Sequence, residues 1–193
     1  MKHSGTRKIE TERLILRRFV IEDAGAVYRN WASEDEVTKF LTWPTHTSVE
    51  VTKMVLDSWI EKYGNTDFYN WGIEIKETGE LIGNISVVSI KENIKEAMIG
   101  YCMGTKWWGQ GIMPEAGKAV VRYLFEETGV HRIAANHDKN NPKSGRVMQK
   151  IGMTYEGMLR SAGFCNQGII DEVWYSILKE EFEDIYMKNL VEC

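Results

Sequence analysis

Trp107-Trp108-Gly109-Gln110-Gly111-Ile112-Met113-Pro114-Glu115-Ala116 is the stretch that decides the reading of this chain. Two glycines two apart let the backbone turn tightly and bring its amides close to a ligand, because neither carries a Cβ. Pro114 suits the first helical position, where its missing N–H costs nothing. Behind it Ala116, Ala119, Val120, Tyr123 and Leu124 recur at helical spacing, so a helix begins at this loop. A glycine loop feeding a helix N-terminus offers unpaired N–H groups and a positive dipole end, which together make an anion site. No Lys or Arg lies between Trp107 and Ala116, so backbone amides would hold the anion, a chemistry that suits a pyrophosphate. An ordinary strand-to-helix turn is the alternative that the loop alone leaves open.

Two familiar phosphate motifs are absent. A Walker A loop needs four residues between its first Gly and Gly-Lys-Ser/Thr; counting back from Gly117-Lys118 lands on Ile112, and Ala119 follows the lysine. In the dinucleotide fingerprint the third glycine would fall on Pro114.

The chain has 193 residues, the length of one ordinary domain, and enough apolar residues to bury a core. A single domain over residues 1–193 is expected. Its formal net charge of -4, with acids and bases interspersed, argues against a nucleic-acid surface. No apolar run approaches the ~20 residues of a membrane span, and the polar Met1-Lys2-His3-Ser4-Gly5 start lacks a signal-peptide core. Cys102, Cys165 and Cys193 show neither Cys-x-x-Cys nor His-rich spacing, so neither a disulfide framework nor a metal site is expected. These features describe a cytoplasmic protein, monomer or homodimer.

Along the chain, Arg13–Phe19 has the pattern of a first strand, and Ala24, Val27, Tyr28 and Trp31 share one face of a first helix. The Thr47 and Glu50 spacing is that of a capping box opening a second helix through Val51, Met54, Val55 and Trp59 to about Gly64. Trp71, Ile73 and Ile75 alternate as a strand, and Glu77-Thr78-Gly79-Glu80 turns it into another through Leu81, Ile85 and Val87. A further strand from Ala97 to Met103 precedes the glycine loop. After the long helix come a strand at Arg132–Ala135, a helix from Pro142 to Gly152, strands near Thr154–Arg160 and Ile170–Leu178, and a short polar C-terminal helix. The central hairpins exclude a purely parallel sheet, so the expected class is mixed α/β.

A second constellation is Asn141-Pro142-Lys143-Ser144, followed by Val147, Lys150, Ile151, Gly152 and Met153. Asn141 fits an N-cap, Pro142 the first helical position and Gly152 a C-terminal stop. Ser144 then lies in the first turn, its hydroxyl near a second helix N-terminus. A capped helix explains Asn and Pro without any function; the glycine loop some thirty residues earlier makes a paired site the better reading.

With these motifs in order, the chain resembles the GNAT acetyltransferases, in particular the branch containing ribosomal-protein N-terminal alanine and serine acetyltransferases. The likeness runs from Thr11-Glu12-Arg13-Leu14-Ile15-Leu16-Arg17 through Gly100-Tyr101, Trp108-Gly109-Gln110-Gly111, Glu115-Ala116 and His131-Arg132-Ile133. It continues through Asn141 with Ser144, Lys150-Ile151-Gly152-Met153 and Glu156-Gly157-Met158-Leu159-Arg160 to Asp171. The resemblance implies a central mixed, mostly antiparallel sheet flanked by helices and splayed open between the Ala97–Met103 and Arg132–Ala135 strands, with acetyl-CoA as cosubstrate in the notch. It also implies that backbone groups of Tyr101, Cys102 and Met103 pair with the pantetheine arm, and that amides of Trp108, Gly109, Gln110, Gly111, Ile112 and Met113 bind the pyrophosphate. Asn141 would hydrogen-bond the pantetheine, and Ser144 would lie near the sulfur and protonate the departing thiolate. Lys106, Lys143 and Arg146 are the nearest basic candidates for the outer phosphates.

Four positions depart from the family pattern. Trp108 stands where Gln or Arg is usual, and Met113 where Gly or Ala is usual, so Met113 must point away from the phosphates. Met98 replaces a frequent Glu, and Met148 replaces the Tyr that often protonates the thiolate. Glu96, Glu156 and Asp171, acting through water, and His137 at the end of the facing strand are candidate bases, each more readily read as a solvated or structural residue. Cys102 has no His or Lys beside it to lower its pKa, so a covalent acyl-enzyme is not expected. The acceptor amine would lie over the segments between the first strand and the second helix and near the loop around Gly163–Gly168, with Trp43 and Pro44 as one candidate wall and Phe164 as another, aromatics that plain packing explains equally well. Three functions remain open: acetylation of a protein or peptide α-amine, acetylation of a small amine, or non-catalytic binding of an acyl-CoA.

Overall fold

Residues 1–184 of the chain are described by the computed structural model. The alternation at Trp71 and Ile73 puts both side chains into one core, and the Glu77–Glu80 turn joins strand β3 (Asn70–Ile75) to β4 (Leu81–Lys91). Before them come β1 (Ile9–Glu10) and β2 (Leu14–Arg17), and after them β5 (Glu96–Met103), β6 (Arg132–Asp138), β7 (Thr154–Cys165) and β8 (Gly168–Leu178). They form one eight-stranded sheet in the order β1-β2-β3-β4-β5-β6-β8-β7. Every neighbouring pair is antiparallel except β5 and β6, which run parallel. The mixed, mostly antiparallel sheet expected from the sequence is therefore present.

The parallel pair is short. Register partners run only from Glu96↔Arg132 to Met98↔Ala134, after which β5 continues to Met103 along β4 while β6 continues to Asp138 along β8. From Ile99 onward the edge of β5 facing β6 has no strand beside it. The sheet opens there.

Helices cover both faces. α4 (Ile112–Thr128) and α5 (Pro142–Ile151) bury Ala116, Val120, Leu124, Met148 and Ile151 against the core that holds Trp71, Ile85 and Ile133. α1 (Ala24–Val27), α2 (Asp35–Thr38) and α3 (Val49–Lys62) build a second core on the other face, around Phe19, Trp31 and Leu56. The periodicity at Ala24, Val27, Tyr28 and Trp31 is real, but the segment changes winding from a 3-10 turn through α1 to a π-wound turn at Tyr28–Ala32. That wider turn buries both Trp31 and Ala32.

Some boundaries move from their sequence positions. α3 is capped by Ser48, whose hydroxyl accepts from the Val51 amide at 3.4 Å, and not by Thr47. α4 begins at Ile112, so Pro114 is its third residue; a missing N–H is harmless there too, because the first turn has no carbonyl to bond. The last helix begins at residue 179, and the residues past Asp184, Cys193 among them, lie outside the described residues. Cys102 and Cys165 are free thiols.

Gly104, where β5 ends, is the tightest junction between the sheet and the α1 side. A Cβ there would run into the Asn30 carbonyl and come within 2.7 Å of the Trp107 ring. The Gly104→Ala substitution should cost about 3 kcal/mol, the upper range for overpacking. Urea unfolding measures it, and a loss below about 0.5 kcal/mol would contradict this packing.

Candidate functional site

The open edge of β5, the glycine loop and the start of α5 face one cleft of about 630 Å³. Its lining includes Tyr101, Cys102 and Met103 from β5, Trp108, Gly109, Gly111, Ile112 and Met113 from the loop and α4, and Asn141, Lys143, Ser144 and Arg146 from α5. Gln110 lies in the same loop. The sequence-selected residues, separated by more than forty positions, thus converge.

Gly109 and Gly111 have φ of 79° and 75°, the left-handed region that a side chain disfavours. Gly111 is the N-cap of α4 and offers no side chain to cap it. The first intrahelical bond runs from the Glu115 amide to the Gly111 carbonyl at 3.2 Å. Among the described residues, no acceptor engages the amides of Gly109, Gln110, Gly111, Ile112 and Met113. Five donors at the positive end of a 17-residue helix form an anion cradle. Met113 buries its side chain in the core, leaving its amide at the loop. Trp108 differs from the expectation, since its amide already donates to the Thr105 carbonyl at 3.1 Å.

The Trp108 side chain explains why an aromatic stands there. Its indole Nε1 donates to the Met103 carbonyl at 2.7 Å, and its ring packs against both cores. The Met103 carbonyl is therefore taken, and the open edge of β5 narrows to the residues before it. Lys143 lies with its ammonium 4.5 Å from the Trp108 ring centroid, a cation–π contact that bridges α5 to the loop.

Basic groups follow the same wall. Lys143 and Arg146, with Lys150 which the sequence reading missed, line the cleft from one side of α5. Among the described residues no ion pair engages these three. Lys106 turns instead to Glu80 at 3.0 Å. Arg13, also missed, ties the loop from outside: it donates to the Gln110 carbonyl at 3.1 Å and pairs with Glu115 at 2.7 Å.

On the cleft floor, Tyr101 and Ser144 touch. The phenol donates to the Ser144 carbonyl at 2.9 Å and lies 2.9 Å from the seryl Oγ. Burial pushes the Tyr101 pKa up, so the phenol carries its proton at neutral pH. Burial pushes the Cys102 thiol up to about 12, which leaves it protonated and poorly nucleophilic. Asn141 occupies the N-cap position of α5, but its side chain makes no cap hydrogen bond and belongs to the cleft lining.

The three carboxylate candidates are all engaged, whereas His137 keeps one ring nitrogen free. Arg132 donates from its two terminal nitrogens to the Glu156 carboxylate at 2.6 and 2.5 Å and holds it below the usual carboxylate range. Burial works against the Glu96 charge, but Lys91 and Arg132 outweigh it and hold that carboxyl low as well. Lys139 and the Ser161 amide do the same for Asp171. His137 has its Nδ1 on the Asp138 carbonyl at 2.7 Å, and its Nε2 is buried without a partner. A Cβ added at Gly145 would fall 2.6 Å from that nitrogen, which therefore lies against α5.

At the other mouth, Glu36, Val37, Lys39, Phe40 and Leu41 form the wall. Trp43 packs against the second core and meets His46 at 5.3 Å between ring centroids, and Phe164 is exposed on the outer hairpin. The hairpin still shapes this wall. Asn166, at its tip, donates to the carbonyls of Thr38, Leu41 and Trp43 at 2.9, 3.0 and 2.7 Å.

Glu156→Gln tests the structural assignment of that carboxylate. A group held low stabilises the fold above its unfolded pKa of about 4.3, and that contribution is lost as pH falls through its folded value. The variant should lose about 1 kcal/mol or less at pH 7, converge with the parent below about pH 4, and keep its turnover within about threefold. A hundredfold loss of turnover would instead make Glu156 the base.

The profile of the acetyltransferase (GNAT) domain matches residues 13–154. YoaA of Bacillus subtilis, described as an uncharacterized N-acetyltransferase, is 34% identical over 171 residues, covering 89% of this chain and 96% of that protein. The [ribosomal protein uS5]-alanine N-acetyltransferase of Escherichia coli is 36% identical over 92 residues, 47% of this chain and 46% of that one. A crystal structure of a GNAT-family acetyltransferase from Bacillus anthracis superposes with a TM-score of 0.79 at 29% identity, covering 90% of this chain and 99% of that one. With the splayed sheet and the amide cradle, these matches show that the chain belongs to the GNAT family and is an N-acetyltransferase whose acetyl donor is acetyl-CoA.

Proposed function

We propose that this protein, acting as one domain, acetylates the α-amine at a protein or peptide N-terminus. The amides of Gly109, Gln110, Gly111, Ile112 and Met113 would hold the pyrophosphate, and Lys143, Arg146 and Lys150 the outer phosphates. Tyr101 and Cys102 would offer backbone groups to the pantetheine, with the Asn141 carboxamide opposite them. Trp108 and Met103 shape this groove and occupy each other. Acetyl-CoA supplies an activated thioester, and the chain's own groups position it, exclude water and return a proton to sulfur. Ser144 is the side chain proposed for that last role.

One observation carries the choice of amine. Glu36 is the carboxylate lining the cleft, and it lies 2.7 Å from the Lys39 ammonium. Glu96, Glu156 and Asp171 are likewise neutralised. A site whose candidate carboxylates are all paired favours an amine that is already neutral. With reference pKa values of about 7.8 and 10.4, roughly a seventh of an α-amine is neutral at pH 7, against about four in ten thousand lysine side chains.

The test is turnover from pH 6 to 9 on a peptide with a free N-terminal Ser, Ala or Thr and on its N-blocked, lysine-containing counterpart. The free peptide should be faster, with a rate that rises until the α-amine is deprotonated. Equal or better activity on the blocked peptide would overturn the proposal, and activity on neither, with turnover of a polyamine or amino acid derivative, would move the acceptor to small amines. Cofactor binding is tested separately. Acetyl-CoA at a hundred times its dissociation constant should add about 2.7 kcal/mol of stability, and Gly111→Asp, which puts a carboxylate in the cradle, should abolish that gain while still folding.

A further inference from the structure

Tyr101 has one hydroxyl proton and two acceptors for it. The Ser144 carbonyl and the Ser144 Oγ each lie 2.9 Å from the phenol oxygen, and at rest the phenol donates to the carbonyl. When the phenol turns that proton from the carbonyl onto Oγ, the single seryl proton is free to point at the sulfur. The serine hydroxyl is thus held in one rotamer from a strand on the sheet, across the cleft floor from its own helix. The phenol ring is itself packed against the main core, so the point of attachment is rigid.

We propose that Tyr101 is a positioning residue for Ser144: its phenol holds the seryl oxygen as a donor, which leaves the seryl proton to point at sulfur, and passes its own proton to that oxygen once the hydroxyl has given its proton away. This rests on the reading of Ser144 as the thiolate's proton donor and deepens it. The proton balance closes without a further reagent. Attack of the amine leaves nitrogen with one proton too many and releases a thiolate. Ser144 passes its proton to sulfur, the phenol proton follows onto the seryl oxygen, and the proton leaving nitrogen through water restores the phenol. The same site in Met148 has no transferable proton, which leaves the sheet strand as the partner for the serine. Cys102, the next side chain along β5, packs against the second core instead.

The roles separate experimentally with Ser144→Ala, Tyr101→Phe and the double variant. Ser144→Ala should lower kcat about 10²-fold, the low end for general acid catalysis. Tyr101→Phe should lower kcat about tenfold with the KM for acetyl-CoA unchanged, and the double variant should match Ser144→Ala alone, because removing the orienting group matters only while the serine is present. A second readout needs no turnover. The thiol of bound CoA, followed by its thiolate absorbance against pH, should titrate at a lower pKa in the parent than in either single variant, because a donor on sulfur favours the thiolate.

Normal turnover and an unshifted bound thiol in Ser144→Ala would overturn the serine reading and this inference with it. A slowed Ser144→Ala beside a fully active Tyr101→Phe would overturn the role of Tyr101 alone. Independent, multiplying losses in the double variant would also overturn it, since the two hydroxyls would then act apart.

Discussion

Everything in this structure depends on β5 and β6 being paired over three residues and no more. At the closed end, Arg132 on β6 donates to Glu96 on β5 and to Glu156 on β7, binding three strands through one guanidinium. Beyond Met98 and Ala134 each strand stays with its outer partner, β5 with β4 and β6 with β8. The backbone groups exposed by the split need partners, because buried unpaired amides and carbonyls are costly. An extended ligand that can hydrogen-bond like a strand meets that need, and the pantetheine arm of the acetyl donor has amides to do so.

The ends of the opening are closed by different chemistry. Toward the anion cradle, the Trp108 indole caps the β5 edge and carries Lys143 on its face, so the phosphate wall and the sheet edge are one rigid piece. At the opposite mouth, the wall of Phe40 and Leu41 is held by three hydrogen bonds from Asn166, more than a hundred residues away. Charge is arranged to leave the floor neutral: the carboxylates near the site are paired with Arg or Lys, and the groups that remain at the floor are two hydroxyls.

Much of this was legible in the sequence because it is local. The Gly109–Gly111 spacing, the helical face behind it, and the Asn141–Ser144 start of α5 all follow from backbone preferences within a few residues. What escaped depends on side-chain contacts between elements. The indole of Trp108 on the Met103 carbonyl, Arg132 neutralising both Glu96 and Glu156, and Arg13 on the glycine loop join residues whose separation in sequence carries no periodic signal. Thr47 and Ser48 are both plausible caps by type, and only the tertiary path chose Ser48. Trp43 and Phe40 lie three positions apart in one loop, yet Phe40 lines the cleft while Trp43 packs against the second core, a choice that residue type alone does not make.

The central claim is that the split between β5 and β6, with the amide cradle beside it, is where the acetyl donor binds. Amide hydrogen exchange with and without CoA, with binding verified by calorimetry, tests it most directly. Protection should rise at residues 99–102 and 109–113, while β1 to β3 exchange as before. Bound CoA that leaves both segments unprotected, or protects another face of the sheet instead, would contradict the account.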